Sequence, residues 1–164
     1  MKKLYVLFLS VVLLLSFCAL PFGAYAQMAK NTEYIISETV EMLEEGYYVK
    51  TIISEETSAI ATRAVLTKNA SKAFVLYNSN SVELARFTLK GTFVINEGVS
   101  AMCTASSYTT SISNNAWSVK SASTTEWGSQ AIGDVVFEKK VLFVVTDTKE
   151  AHVVLTCDNY GNFS

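Results

Sequence analysis

The stretch "ARFTLKGTFVIN" restricts this chain more than any other part of it. Ala85, Phe87, Leu89, Gly91, Phe93 and Ile95 alternate with Arg86, Thr88, Lys90 and Thr92. Successive side chains of a strand point to opposite faces, so an alternating run has one dry and one wet surface. A helix would scatter the same apolar residues around its circumference. Gly91, in the middle, is expected to mark a bend or bulge that lets one long strand pass between sheets.

The alternation resumes beyond the turn at Asn96, Glu97 and Gly98. Val99, Ala101, Cys103 and Ala105 fall on one side, and Ser100, Thr104 and Ser106 on the other. Two alternating runs joined by a short glycine turn make a hairpin. Further strand-like runs cover 117–124, 131–138, 141–146 and 151–157, with "EKK" and "DTKE" as polar turns. Upstream, "YYVKTIIS", "TRAVLT" and "KAFVLY" are rich in β-branched and aromatic residues, with "KNAS" and "NSNS" as turns. Around "ETVEMLEEGYYVKT" the positions Ile36, just before it, Val40 and Leu43 also satisfy helical spacing, but a hairpin turning at Glu44, Glu45 and Gly46 is favoured. Eight or nine short strands with polar turns specify an all-β protein, an antiparallel sandwich of immunoglobulin-like or similar form.

Lys2 and Lys3 precede an apolar run over 4–20, then Pro21 and Ala24-Tyr25-Ala26. This is the layout of a secretory signal peptide over 1–26, with small residues at both cleavage positions. The competing reading is a membrane anchor, since the run approaches the roughly 20 residues that a bilayer core requires. No basic stop-transfer cluster follows it. A lipidated cysteine at position 18 fits poorly, because bulky Phe17 precedes Cys18 where a small residue is needed. A single sandwich domain over 27–164 is expected, with 27–46 forming a hairpin or a loosely packed N-terminal segment, and no membrane span after cleavage. Eleven Lys and Arg then remain against fifteen Asp and Glu, a formal charge of −4. Nucleic acid is a poor partner for such a chain, because phosphate affinity comes from clustered cations.

Cys103 and Cys157 share the parity of their apolar neighbours and should face the core. A zinc site needs about four ligands, and His152 is the only histidine. A redox pair is more typically a CxxC at a helix start, a motif the chain lacks. In an exported protein the two are best read as a disulfide, Cys103 to Cys157, contributing about 4 kcal/mol by chain entropy. Two buried thiols are the alternative.

Catalytic chemistry is hard to find. His152 lies on the parity opposite Ala151, Val153 and Leu155, hence on an outer face, and an acid such as Asp134, Asp147 or Glu150 is needed to orient it. "WGSQAIG" lacks the flanking glycines of a nucleophile elbow. "DNYGN" lacks the spaced carboxylates of a calcium loop and reads as a terminal turn. Glu41, Glu44, Glu45, Glu55 and Glu56 form small acidic groups, but adjacent residues of one strand point to opposite faces. No cofactor-binding or metal-binding motif is present. Aromatic residues are the remaining lead. Trp117 heads an alternating strand and belongs in the core, whereas Trp127, in "STTEWGSQ", together with Tyr47 and Tyr48, is a candidate recognition surface for a protein or glycan.

Taken together, "FTLKGTFVINEGVSAMCTASS", "NNAWSVKSAST" and "VVLTCDNYGNFS" resemble a group of small exported proteins of Gram-positive, clostridia-like bacteria over about 60–164. Lys90-Gly91-Thr92-Phe93 and Cys157 fit that pattern, while "DNYGN" replaces a shorter terminal turn. The resemblance implies a β-sandwich and export, and supplies no catalytic residues. The expected function is a secreted or cell-envelope-associated, non-enzymatic binding or structural module. A secreted glycan hydrolase with carboxylates from distant loops, or a bacteriocin-like toxin, is the alternative.

Overall fold

The computed structural model describes residues 32–56, 61–62 and 65–164. The expected signal peptide and Cys18 lie outside the described residues. Nine strands follow one another: β1 (Glu33–Met42), β2 (Tyr48–Glu56), β3 (Ala61–Thr62), β4 (Val65–Tyr77), β5 (Glu83–Asn96), β6 (Ser100–Ile112), β7 (Trp117–Trp127), β8 (Gln130–Val141) and β9 (Val144–Thr156). They form two antiparallel sheets: a large one in the order β1-β2-β4-β5-β6, to which β3 adds by pairing with β4, and a small one in the order β7-β8-β9. The protein is thus an all-β antiparallel sandwich. Within each sheet the strands follow chain order, so the topology is two meanders rather than the Greek key of an immunoglobulin domain.

The core is the set of residues that alternation brings to the facing sides. Phe87, Leu89, Phe93 and Ile95 of β5 pack with Leu76 of β4, Val49 and Ile53 of β2, Val135 and Phe137 of β8, Leu155 of β9 and Trp117. The hairpin at Glu44–Gly46 is present as a short 3-10 turn, with Glu45 and Gly46 at positive φ. Every residue of β1 is exposed, so the start of the domain is a hairpin whose outer strand contributes nothing to the core.

Several expected features are corrected. "KNAS" is not a turn: it lies within the thirteen-residue β4, so Val65, Leu66 and Thr67 of "TRAVLT" share one strand with "KAFVLY". "EKK" and "DTKE" lie within β8 and β9, and the chain reverses instead at Leu142 and Phe143, both at positive φ. Polarity misleads here because Lys139, Lys140, Asp147 and Lys149 occupy strand ladders, where Lys140 pairs with Glu138 and Lys149 with Asp147. Gly91 does not carry β5 to a second sheet, since β5 pairs with β4 and β6 along its whole length. A β-carbon there would sit 2.5 Å from the Phe93 ring, so the glycine clears space for that ring. The bulge is on the partner strand: Thr92 faces Ala105 and Phe93 faces Cys103, leaving Thr104 unpaired. That extra residue inverts the parity of β6, which is why Ala105 is exposed rather than beside Cys103 in the core.

The expected disulfide is not formed. Cys103 and Cys157 are buried, as expected, but both are free thiols. The β7–β8 turn links their backbones: the Cys103 amide donates to the Gly128 carbonyl at 2.8 Å and the Cys157 amide to the Ser129 carbonyl at 3.0 Å. Each sulfur donates within its own segment, to the carbonyls of Ala105 and Asp158, both at 3.4 Å.

Candidate functional site

Directly opposed residues of an antiparallel pair share a face, so the side of the large sheet turned away from the small one can be read row by row. Val40, Lys50, Val75, Arg86 and Ser111 form one row across the five strands. Glu38, Ile52, Ala73, Thr88 and Thr109 form the next, and Ile35, Ser54, Ser71, Lys90 and Ser107 the third. Glu33, Glu56, Asn69, Thr92 and Ala105 complete the fourth.

Small side chains at the centre make this face concave. Ser54, Ser71 and Ala73 form a floor between Ile35 and Glu33 on one side and Arg86 and Lys90 on the other, enclosing a trough of ≈ 420 Å³. A second hollow of ≈ 290 Å³, lined by Glu56, Asn69, Thr92 and Ser107, shares Lys90 with it. Ser54 and Ser71 are only 7% and 8% exposed, and Val75 is fully buried, although among the described residues no second sheet packs on this face.

The polar groups are partly committed. The Ser71 hydroxyl donates to Glu33 at 3.0 Å, and Thr92 donates to Asn69 at 2.9 Å. Arg86 is held by a two-pronged bond to Glu83 at 2.7 and 3.0 Å, which keeps its guanidinium above the usual arginine range. Lys90 is exposed and makes no ion pair among the described residues. Tyr48 and Tyr77 lie at one end of the same face, their rings stacked 4.9 Å apart and 7° from parallel.

The three aromatic residues of the expected recognition surface are not brought together. Tyr48 belongs to the trough face. Tyr47, its neighbour on the opposite face, packs edge-on against Trp117 at 6.0 Å and accepts a hydrogen bond from Lys139 at 3.1 Å. Trp127 closes β7, ten residues beyond Trp117, or roughly 30 Å at strand rise. It is the last residue of a strand rather than part of a polar loop, and it stands 74% exposed on the outer face of the small sheet.

His152 lies on that same outer face, as alternation requires, with Nδ1 2.7 Å from Asp134. Ser123 faces Asp134 on the other side. The carboxylate therefore stands between serine and histidine, so the imidazole has no path to the hydroxyl, unlike the order a serine nucleophile needs. "DNYGN" is a terminal turn in which Asp158 accepts from the Asn162 side-chain amide at 2.8 Å and from the Tyr160 and Asn162 backbone amides at 2.8 and 2.9 Å, so both its oxygens are committed within the turn. Those bonds hold its carboxyl below the usual aspartate range. Among the described residues no three His, Cys, Asp or Glu side chains cluster to hold a metal ion, and no helix is long and apolar enough to cross a membrane.

Fold and site together define a two-sheet β-sandwich with a hydroxyl-rich trough on its larger outer face. No protein-family model, curated protein or solved structure matches the chain.

Proposed function

We propose that the protein is an exported, non-enzymatic binding module of the small Gram-positive group described above, and that the trough is its glycan-binding face. The carrying observation is the floor of Ser54, Ser71 and Ala73, recessed below Ile35, Arg86 and Lys90 on the sheet face turned away from the small sheet. An open trough admits a linear polymer lengthwise. Its hydroxyl and amide groups suit a polyhydroxylated chain, and the Tyr48–Tyr77 pair offers an apolar end on which a sugar ring can rest. The amino-terminal signal expected from the sequence supports export to the cell surface or the medium.

The test is a glycan-array screen followed by titration of the hits with Ser71→Leu, which fills the floor, and Lys90→Glu, which reverses the free charge. Both are expected to weaken binding at least about tenfold, the loss that follows from blocking a central contact of a small interface. Trp127→Ala, on the other sheet, should leave it unchanged. Hits that tolerate both trough substitutions and are lost with Trp127 would place the ligand elsewhere and refute this reading.

A second reading is favoured by one observation. Glu33 and Glu56 are directly opposed on the trough face, where cross-strand β-carbons lie about 5 Å apart, so the two carboxyl groups are near enough to act on one bond of a held glycan, as the acid pair of a glycosidase does. Release of reducing ends from a bound glycan, abolished by Glu33→Gln, would establish hydrolysis in place of simple binding.

A further inference from the structure

The reversal between β8 and β9 is made by Leu142 at φ 50 and Phe143 at φ 69. Two-residue hairpin turns with both residues at positive φ are the usual place for Asn-Gly, because branched and bulky side chains are disfavoured there. Here the turn is the centre of the apolar run "VLFVV". Leu142 is 88% and Phe143 99% exposed, and Val141, Val144 and Val145 are all exposed as well. The fold therefore holds two large apolar side chains in water, on a backbone that glycine and asparagine suit better.

We propose that this hairpin tip is a shallow anchor for a lipid bilayer of zwitterionic phospholipid. The tip is a convex point, which a bilayer accepts without a matching pocket. The turn and its last two ladder rows reach about 7–10 Å, the depth at which interfacial elements sit, and the second row sets Lys140 opposite Val145 with its ammonium paired back to Glu138. Immediately behind them the character changes to that of a headgroup layer. Lys139 and Lys149 approach the Tyr47 ring at 5.9 and 5.2 Å, and an amphipathic aromatic residue flanked by long lysine stems suits the boundary between acyl chains and water. The cations there are paired rather than free: Lys120 and Lys140 share Glu138, Lys149 bonds Asp147, and Lys139 is held chiefly by the Tyr47 hydroxyl, with smaller attractions to Asp147 and then Glu45. Insertion is therefore driven by apolar burial rather than by lipid charge, and should depend little on salt. A single small apolar element gives weak, reversible attachment, which a ligand held in the trough would reinforce.

Phe143→Trp in the exported protein, from which the expected signal segment over 1–26 has been removed, places a fluorophore at the tip. With phosphatidylcholine vesicles its emission should shift to the blue and be quenched by brominated acyl chains. The parent chain, whose tryptophans are the buried Trp117 and the remote Trp127, should show neither change. Leu142→Asn with Phe143→Gly, which suits the turn and should melt no lower than the parent, should weaken vesicle affinity at least about tenfold. Unaltered emission of the Phe143→Trp protein on lipid addition, or undiminished vesicle affinity of the Asn-Gly variant, would overturn the proposal. So would a blue shift that appears without lipid as the protein self-associates, since a second copy of the chain would then be what covers the tip.

Discussion

Two glycines on facing strands each leave a space that a phenylalanine ring fills. A β-carbon at Gly133 would stand 2.7 Å from Phe87, and one at Gly91 2.5 Å from Phe93. Gly133→Ala and Gly91→Ala should each destabilise the fold by about 1–3 kcal/mol through overpacking, read from chemical denaturation midpoints at constant slope. The second residue-scale expectation concerns the thiols. Burial pushes Cys157 up to about 11 and raises Cys103 in the same direction, so both stay protonated at neutral pH. Native alkylation should be slow and become fast only on unfolding. Because the folded Cys157 value lies above the unfolded one, its stabilising effect is whole below about pH 9 and lost as pH rises to about 11. Cys157→Ala should flatten the decline of melting temperature across that window. The inward parity of both cysteines and the outward parity of His152 were legible from alternation. The inversion at Thr104 was not, because a bulge leaves no signature in a run of Ser, Thr and Ala.

At the level of elements, alternation and β-branched composition together located most of the strand segments, while polarity misplaced some of their ends. "KNAS" runs through β4 because Asn69 bonds Thr92 on the outer side and Lys68 reaches across the inner side to Glu55 and the Gly161 carbonyl. Lys72, also inward, donates to the Val154 carbonyl at 2.8 Å on the edge strand β9, and burial lowers its pKa. These stems close one side of the sandwich, a role that composition does not reveal. Glu126 joins β7 to β6 on the other side by accepting from the amide and hydroxyl of Ser106, both at 2.6 Å. Those bonds hold its carboxyl below the usual glutamate range. Its contribution is therefore present above the ordinary glutamate pKa and lost as pH falls through the depressed one. Glu126→Gln should accordingly show a shallower loss of melting temperature in mild acid. The apolar turn at Leu142 and Phe143 went unread because a hydrophobic run looks like a strand interior. Replacing it with Asn-Gly should raise the melting temperature by several degrees, since strained backbone costs about 1–3 kcal/mol per residue.

For the molecule as a whole, the sequence carried the fold class and the division into dry and wet sides, but not the use made of the wet sides. A trough depends on which strands become neighbours. Ser54, Ser71 and Lys90 are 36 residues apart end to end in the chain and meet only because β2, β4 and β5 adjoin. The same dependence explains why Tyr47, Tyr48 and Trp127, grouped by residue type, occupy three separate places. The most direct test of the trough as ligand face is backbone-amide NMR of the protein titrated with a glycan recovered from the array. Shifts are expected to cluster along the Ser54, Ser71, Ala73, Thr88 and Lys90 amides, with the small sheet unmoved. Perturbations confined instead to Trp127, His152 and the outer side of β7 to β9 would contradict it.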